Sequence, residues 1–491
     1  MKMLLGAISA GTLLLLSDLS MINKSSFVPV EYLNAEVEEG TDFYPDKILE
    51  SEWGNDVEPA DLVHLGLMQE ACLKFKNSVV TWKYGRDGVV SNASRDIFNK
   101  DDVQLLKKMR QCPDVDVYMP GRFRNHGYCE DSAAYMKFLE TRILPTWALT
   151  MKYMDDATNE TFSYHDLCPK TPMLFLSHYW NGLPESPDWP ITKQVYLMPN
   201  IEMYELRAAH YWTVDVVLCK TAICARYVRM WYQQEGNPRH TKVLYTRHTT
   251  SDIASLARTR LGEDSIKPRN WSDVHFVHVI GGSAYKGTSA VLDCWISRPD
   301  FPPLDVYMDE RFYNKRLKAE YKSKTRDSQV VTIHRGRSPT NEFGKLIAES
   351  AFFMCPSKME GYGHYINQAR ASGGLIVSTD LPPMNELLTP ASGVLITVKR
   401  QAHPRQMLGG LFVGEHGLKE VEGFVGAVQG SGVCQAVETV LAMTPAEREM
   451  MGARAKRQYF VDMKFFASKM KELRTLAHEI GVPRFRSTDA V

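Results

Sequence analysis

The sequence has no excess of charge of either sign, since its 491 residues carry 58 lysines and arginines and 58 aspartates and glutamates. A chain with this balance does not attract nucleic acid through its net charge, so nucleic acid is not an expected partner and any phosphate recognition must be local. Internal repeats, low-complexity tracts and long heptad patterns are also missing, which argues against solenoid, fibrous and coiled-coil classes. What is left is an ordinary globular composition, 44% apolar and 24% charged, in a chain long enough for several domains.

The nine cysteines include no CxxC pair and no grouping with histidines at zinc spacing, which argues against a structural zinc site. Cys219 and Cys355 lie in apolar runs and are predicted to be small buried residues. Cys112, Cys129 and Cys168 lie in loop-like sequence and can pair in an oxidising lumen. Because the number is odd, full pairing within one chain is impossible.

The N-terminus resembles a targeting segment, with an apolar run from Met3 to Leu16. At 1.5 Å per residue this run covers about 21 Å of a roughly 30 Å bilayer core, so it fits the apolar part of a signal peptide better than a full span. Residues 1–25 are predicted to be a cleaved signal peptide or a signal anchor, with a buried helix as the third alternative. The first two place the protein in the secretory pathway (ER or Golgi), membrane-anchored if the segment is kept, and the third in the cytoplasm. Sequons at four asparagines fit a luminal protein: Asn23, Asn92, Asn159 and Asn270.

From about Ser78 the chain alternates short β-branched or aromatic runs with longer amphipathic stretches, which predicts parallel sheets connected by helices. The polar stretch 251–272 separates two such series, and the pattern becomes purely helical towards the C-terminus, where Thr444 is predicted to cap a helix and a second helix is predicted at 463–480. The fold class is therefore α/β, with two doubly wound, Rossmann-like domains at 26–265 and 266–432 and helices at 433–491. The predicted strands are 79–82, 115–119, 173–178, 194–198, 215–219 and 242–245, then 275–280, 330–334, 351–355, 375–378 and 394–398.

The segment 351–387, AFFMCPSKMEGYGHYINQARASGGLIVSTDLPPMNEL, has the richest pattern. Gly361 and Gly363, on either side of Tyr362, let the backbone approach a ligand, and the helix that begins there directs free amides and a partial positive charge at it. The loop follows the carboxyl end of a predicted parallel strand, where open α/β sheets bind ligands. The pattern is typical of a phosphate site, although an ordinary strand-to-helix connection also uses such glycines.

This segment resembles the donor-binding motif PSxxEGFGxxxxEAxAxG of retaining glycosyltransferases of the two-Rossmann GT-B fold, most closely family 4. Pro356-Ser357 and Glu360-Gly361-Tyr362-Gly363 match it, and Ala369, Ala371 and Gly373 keep its register. The resemblance extends over about 160 residues, 275–433. It implies a nucleotide-diphosphate sugar donor bound at Gly361, Tyr362 and Gly363, with Glu360 near the transferred sugar, and C-terminal helices that pack across both domains.

One position departs from the motif, because Gln368 stands where the family has a second glutamate that binds the ribose. The amide oxygen of a glutamine still accepts one hydrogen bond. Exchanging a charge-assisted hydrogen bond for a neutral one weakens donor binding by roughly 1 kcal/mol, which leaves catalysis possible.

A second matching element is the loop from Gly281 to Gly287, which includes Gly282 and Lys286. In the family, a lysine here stabilises the diphosphate and the charge that grows on the leaving group. A solvated surface lysine is the structural alternative. The arginine that the family has earlier in this loop is missing, and Arg335, after another strand, is a candidate to assist with the phosphate or the base.

The acceptor side is expected in the first half, at the carboxyl ends of its strands. The candidates are Asn200 and Glu202 after one strand, His178 after another, and His248 after the last. A helix cap at Asn200 and a hydrogen-bonded core position for His178 are the structural alternatives.

The Asp114-Val115-Asp116 sequence spells the DxD metal motif of the other major glycosyltransferase fold, but it opens a predicted strand and lacks that fold's surroundings. The chain is therefore interpreted as a metal-independent, retaining glycosyltransferase with Glu360 and Lys286 as catalytic residues and no cofactor. Its expected partners are a UDP- or GDP-linked sugar and a glycan, lipid or protein-glycan acceptor. The alternative is a non-catalytic member that binds nucleotide sugar or glycan, or a subunit of a transferase complex.

Overall fold

The structure is a computed structural model that describes residue 44 and residues 59–88, 93–326, 328–479, 481 and 483. All of these belong to one compact unit, Glu36–Val491. The predicted signal segment 1–25 and the sequons Asn23 and Asn92 lie outside the described residues. Among the residues that the structure describes, no helix has the length and apolar character needed to cross a bilayer.

The first half is built on an eight-stranded sheet in the order β10-β9-β8-β7-β3-β4-β1-β2. Its strands are parallel except β1, which runs antiparallel to both of its neighbours. The central strands are buried along their whole length, as apolar runs without alternation predict. The strands are β1 (Val79–Thr81), β2 (Ile97–Phe98), β3 (Asp116–Tyr118), β4 (Arg142–Leu144), β7 (Met173–Leu176), β8 (Val195–Met198), β9 (Val216–Cys219) and β10 (Lys242–Tyr245); β5 (Tyr153–Asp155) and β6 (Glu160–Phe162) form a separate hairpin.

Helices cover both faces of this sheet and bury one apolar core on each side. The chain crosses from one side of β3 to the other when it enters β7, so ligands are expected at the carboxyl ends of these two strands. The helices of this half are α1 (Pro59–Lys74), α2 (Ala93–Asp96), α3 (Leu105–Met109), α4 (His126–Phe138), α5 (Thr146–Thr150), α6 (Tyr164–Leu167), α7 (Ala208–Thr213), α8 (Ala222–Glu235) and α9 (Ile253–Leu261), with 3₁₀ turns at Gly121–Phe123 and Glu263–Ser265.

The second half is a six-stranded, fully parallel sheet in the order β13-β12-β11-β14-β15-β16. This is the Rossmann order, in which the third, second and first strands are followed by the fourth, fifth and sixth, and it leaves a binding crevice between the first and fourth strands. The strands are β11 (Phe276–Gly281), β12 (Leu304–Met308), β13 (Val331–Arg335), β14 (Phe352–Cys355), β15 (Leu375–Asp380) and β16 (Val394–Thr397), with β17 (Lys399–Gln401) and β18 (Val425–Ala427) as an antiparallel pair.

The helices of this half are α10 (Thr288–Ser297), α11 (Glu310–Phe312), α12 (Lys318–Arg326), α13 (Thr340–Glu349), α14 (His364–Ser372) and α15 (Met384–Leu387), with a π-helical turn at Tyr313–Leu317 between α11 and α12. The two doubly wound sheets confirm the predicted α/β class and the GT-B arrangement of two Rossmann-like domains. The exact domain limits at 265 and 432 stay predictions.

Two C-terminal helices follow, α16 (Gly430–Ala442) and α17 (Pro445–Leu476). The predicted cap is confirmed, because Thr444 and Glu447 exchange hydrogen bonds in a capping box ahead of Pro445. The prediction of a separate helix at 463–480 is wrong, since α17 runs unbroken for 32 residues and no glycine or proline interrupts 453–476. Phe466 on α17 packs in the core beside the first sheet, and Ala455 packs in a core beside the second.

A second connection between the halves is the segment 402–424, which joins β17 to β18 and which we call the crossing segment. Its apolar side chains Met407, Leu408 and Phe424 are buried in a core of the first half. The indole of Trp231 on α8 donates a hydrogen bond to the carbonyl of His416, at 2.7 Å. The crossing segment therefore connects the second half to the first through α8 and this core, in addition to the C-terminal helices.

Eight of the nine cysteines form disulfides, and only Cys355 is free. The expectation that Cys112, Cys129 and Cys168 pair is confirmed, as is the buried Cys355. Cys219 is buried as predicted but is not unpaired, because α8 begins three residues later and brings Cys224 back to it, with 5.4 Å between the Cα atoms. The pairs are Cys72–Cys129, Cys112–Cys168, Cys219–Cys224 and Cys294–Cys434.

Thiol counting tests this pairing. Full-length protein unfolded without reductant is expected to take up one equivalent of maleimide, at Cys355, and peptide mapping should recover the four cross-linked pairs. After reduction the same protein should take up nine equivalents, which controls for access. Reduction should also lower the melting temperature. The disulfides Cys72–Cys129 and Cys112–Cys168 each close a long loop, and each such closure stabilises the fold by about 4 kcal/mol because it restricts the unfolded chain. Labelling of several cysteines without reductant would contradict the pairing.

Candidate active site between the two sheets

The two predicted donor loops lie side by side because they follow neighbouring strands, β11 and β14. The ammonium of Lys286 lies 2.5 Å from the carboxylate of Glu360, and it also sits 3.7 Å above the centre of the Tyr365 ring. The hydroxyl of Ser357 donates to the same carboxylate. The structure therefore brings together the two side chains that the sequence places in the catalytic role, at the crevice of the second sheet.

Two glycines allow these loops to meet. Gly287 has a left-handed backbone (φ +67°), and a Cβ atom there would lie 2.1 Å from the carbonyl oxygen of Pro356. Gly363 is also left-handed (φ +104°) and forms the N-cap position of α14. Any other residue at 287 would push the lysine loop away from the second loop, so this glycine sets the Lys286–Glu360 distance.

The first half meets the second loop at Gly361. A Cβ atom on Gly361 would lie 2.5 Å from both carboxylate oxygens of Glu202 and 2.6 Å from the amide oxygen of Asn200. The amide nitrogen of Asn200 donates to the hydroxyl of Ser177, at 2.8 Å, and no helix begins at Asn200. The two acceptor-side candidates thus lie directly against the donor loop, where glycine alone leaves room for them.

Glu202 is in an unfavourable environment for a charge. Its Oε2 atom is buried and has no hydrogen-bond partner among the described residues. Burial raises the pKa of Glu202 to about 7, with the ammonium of Lys220 acting against the rise and the carboxylate of Glu360 adding to it. A buried carboxylate oxygen without a partner and with a raised pKa marks Glu202 as a candidate functional residue.

A second cluster surrounds the buried carboxylate of Asp131 on α4. The ammonium of Lys220, after β9, lies 3.0 Å from it, and the Nε2 atoms of His248 and His364 lie 2.9 and 3.1 Å from it. Although burial opposes ionisation, Lys220 and the two histidines hold the pKa of Asp131 well below its usual range. Burial lowers the pKa of His248 to about 4, so this histidine is neutral at pH 7.

Of this cluster the sequence identified only His248. Lys220 directly follows a strand, which is the signal that selected Asn200. His364 directly follows Gly363, inside the motif itself, so the sequence also marked its position. Asp131 lies inside a helix that no motif marks. The nearest ligand atoms of Asp131, His248 and His364 lie within 4.8 Å of one another, yet the ammonium of Lys220 already neutralises Asp131, and a metal ion would have to compete with it. Metal independence stays a prediction.

Gln368 contacts the first half. Its amide nitrogen donates to Oε1 of Glu130 on α4, at 2.9 Å. Glu130 is buried and also accepts from the hydroxyl of Thr250 and from the amide and hydroxyl of Ser251. A glutamate at 368, as the family has, would place two carboxylates together at this point, so Glu130 accounts for the departure from the motif. The amide oxygen of Gln368 accepts no hydrogen bond from the described residues, and its binding to a ribose stays a prediction.

The remaining candidates lie in the donor loops or at the carboxyl ends of other strands. The Tyr362 side chain is buried and donates to the carbonyl of His248, at 2.9 Å, so only its backbone faces the loop. His178 follows β7, with its Nε2 3.1 Å from the Tyr128 hydroxyl, and burial lowers its pKa. Arg335 ends β13 with its guanidinium exposed, 5.3 Å from the Tyr313 ring centre. At Gly282 a Cβ atom would meet nothing nearer than 3.9 Å, so this stretch of the first loop is open.

Exchanging the partners at 130 and 368 tests this part of the site. Gln368→Glu is expected to lower the free energy of unfolding by about 1 to 3 kcal/mol, because it replaces a hydrogen bond with repulsion between buried carboxylates. The double variant Glu130→Gln/Gln368→Glu restores one donor and one acceptor and should recover most of the loss. Urea unfolding measures both, with Glu130→Gln alone as control. A single Gln368→Glu variant as stable as the wild type would contradict this assignment.

None of the protein-family models and none of the curated proteins compared matches the chain. Among solved structures it is similar to a glycosyltransferase from Rickettsia africae ESF-5, at 12% identity and a TM-score of 0.41, over 63% of this chain and 77% of that one. A sucrose-phosphate synthase from Thermosynechococcus elongatus has 14% identity and a TM-score of 0.43, over 69% and 83%. An α,α-trehalose-phosphate synthase (UDP-forming) from Burkholderia vietnamiensis has 12% and 0.43, over 62% and 73%. At these low scores the likeness carries no argument about activity, and the function has to be argued from the site.

Proposed function

We propose that the protein is a glycosyltransferase that moves a sugar from a nucleotide-diphosphate sugar to an acceptor hydroxyl. The observation that carries this proposal is the pair Lys286 and Glu360 at the crevice of the second sheet, with Glu202 of the first half opposed to them across Gly361. When the bond between sugar and diphosphate breaks, negative charge grows on the phosphate and positive charge on the sugar. A cation can stabilise the first charge, and carboxylates beside a glycine loop can stabilise the second.

The diphosphate would bind at the start of α14 and at Lys286. The first amides of a helix are free donors at its positive end, and α14 begins directly after Gly363. The ammonium of Lys286 is half-buried and paired with Glu360. An incoming phosphate would share this cation, so the site supplies charge neutralisation without a metal ion, and we propose metal-independent transfer.

Two finer features of the proposal come from the resemblance to family 4. Retention of configuration requires the acceptor to attack on the face that the diphosphate leaves, next to Glu360. The donor base would be carried by UDP or GDP, with the ribose at Gln368. The proposed acceptor is a glycan, a lipid or a protein glycan, bound by the first half.

The disulfides support a location in the secretory pathway. Eight paired cysteines are typical of a chain that folds in an oxidising compartment. A membrane-associated N-terminus would be consistent with this location, whereas a cytoplasmic protein would keep these thiols reduced.

A non-catalytic role is the second candidate, and one observation favours it. The contact of Gly361 with Asn200 and Glu202 fills the space between the halves at this point, as it would in a protein that binds a nucleotide sugar or joins a transferase complex without turnover. Turnover therefore distinguishes the two functions.

A donor screen tests the proposed function. Full-length protein is expected to show a rise in melting temperature with one group of UDP- or GDP-sugars in the presence of EDTA. Lys286→Ala should lose this rise, because the diphosphate loses its cation. Lys322→Ala, a change of an exposed lysine on α12, should keep it. A folded wild type that responds to no nucleotide would contradict the donor site, and binding without turnover would favour the non-catalytic function.

Stereochemistry tests the mechanism separately. With the donor from that screen, NMR of the first product formed is expected to show the anomeric configuration of the donor, in EDTA as well as in buffer with added magnesium. An inverted product would overturn retention, and a strict need for metal would overturn metal independence, while both results would leave the transferase assignment in place.

A further inference from the structure

We propose that Glu202 is the catalytic base that takes the proton from the acceptor hydroxyl, through its Oε2 atom, as the new glycosidic bond forms. This inference rests on the proposed function and names the group that performs one step of it. It differs from a front-face reaction in which the departing phosphate takes the proton.

Glu202 lies directly against the donor loop. It follows β8 in a turn that points back at the second sheet, and its two carboxylate oxygens lie against the Cα atom of Gly361. Gly361 is the residue after Glu360, which lies beside the lysine of the donor loop. An oxygen at this place faces the donor loop from the first half.

The other buried carboxylates near the site all have partners. Glu360 is held by Lys286 and Ser357, and Asp131 is held by Lys220 and two histidines. Glu130 accepts four hydrogen bonds. In the described part of the chain, Oε2 of Glu202 is the one buried carboxylate oxygen without a partner. A base needs an oxygen that is free to receive a proton, and in Glu202 this oxygen is Oε2.

The charges that face Glu202 come from several elements. Lys220 after β9 favours the ionised form, and Glu360 of the donor loop and Asp131 of α4 disfavour it. Three tyrosines also lie close enough for the charge of Glu202 to raise their pKa: Tyr128, Tyr204 and Tyr211. Burial is the largest influence and raises the pKa of Glu202 to about 7. A base with this pKa is ionised in about half of the molecules at neutral pH and is strong enough to assist a hydroxyl.

The atoms of the step balance. The acceptor oxygen forms a bond to the anomeric carbon, while the bond from that carbon to the diphosphate oxygen breaks and its electron pair leaves with the phosphate. The acceptor proton moves to Oε2 of Glu202, and it returns to solvent after the product leaves. Lys286 stays with the diphosphate throughout, so the proton and the leaving group are handled by different residues.

The experiment compares Glu202→Gln with the wild type, and with Glu205→Gln as a matched control three residues away on the exposed side of the same loop. The readout is release of UDP or GDP from the donor found in the screen, with water as the acceptor, between pH 5 and 9. The wild-type rate is expected to rise with pH through an inflection near 7, because only ionised Glu202 takes a proton. Glu202→Gln should be about 100- to 10,000-fold slower and lose the inflection, while its thermal shift with the donor is unchanged and Glu205→Gln behaves as the wild type.

A second measurement does not depend on turnover. Infrared titration should show a protonated carboxyl band with a midpoint near pH 7 that is weaker in Glu202→Gln, where the remaining band belongs to Glu386, whose pKa burial also raises to about 7. A Glu202→Gln variant with the full carboxyl band of the wild type, or with the wild-type rate and inflection, overturns the role of Glu202 and leaves the transferase intact. A wild type that binds donor but releases no nucleotide overturns the proposed function, and the base with it.

Discussion

The candidate site depends on the buried carboxylate of Asp131. It lies between the two sheets and accepts from Lys220 of the first half, while the Nε2 atoms of His248 of the first half and His364 of the second lie 2.9 and 3.1 Å from it. His364 is the first residue of α14, so this interaction fixes the start of that helix relative to the first sheet. Loss of Lys220, its charged partner, would leave this buried carboxylate uncompensated, at a cost of about 3 to 5 kcal/mol. The contacts of Gly361 with Glu202 and of Gln368 with Glu130 are possible only because α14 is held in this place.

Two further connections reduce the freedom of the halves to move apart. Helix α17 contributes side chains to the cores beside both sheets, and the crossing segment buries Met407, Leu408 and Phe424 in the first half. Glu386 of the second half adds a direct link, since it accepts from the amides of Ala222 and Ile223 at the start of α8. The site is therefore largely preformed, and the charges around the crevice are oriented before any ligand binds.

Local sequence was enough to predict five of the six strands of the second sheet and its two donor loops. Lys286 and Glu360 each follow an apolar strand, and neighbouring parallel strands bring their carboxyl ends to one edge. The same reasoning placed Asn200 and Glu202 at the edge of the first sheet. It missed β4, which is three residues long and begins with Arg142, a charge that is buried only because Asp116 pairs with it. It also missed β12, where apolar and polar residues alternate.

What the sequence could not predict depends on contacts between distant segments. Glu130 and Asp131 lie in the middle of a helix with no motif, and their partners come from residues 220, 248–251, 364 and 368. The reason for glutamine at 368 is visible only when Glu130 is beside it. The pairing of Cys219 with Cys224 likewise follows from where α8 begins, and not from the apolar run that contains Cys219.

The most direct test of the account is a crystal structure of the full-length protein with UDP or GDP bound. The account predicts the diphosphate at the first amides of α14, with the ammonium of Lys286 within hydrogen-bond distance of a phosphate oxygen and the ribose next to Gln368. A nucleotide bound elsewhere, or a crevice in which Lys286 contacts only Glu360 at saturating nucleotide, would contradict it.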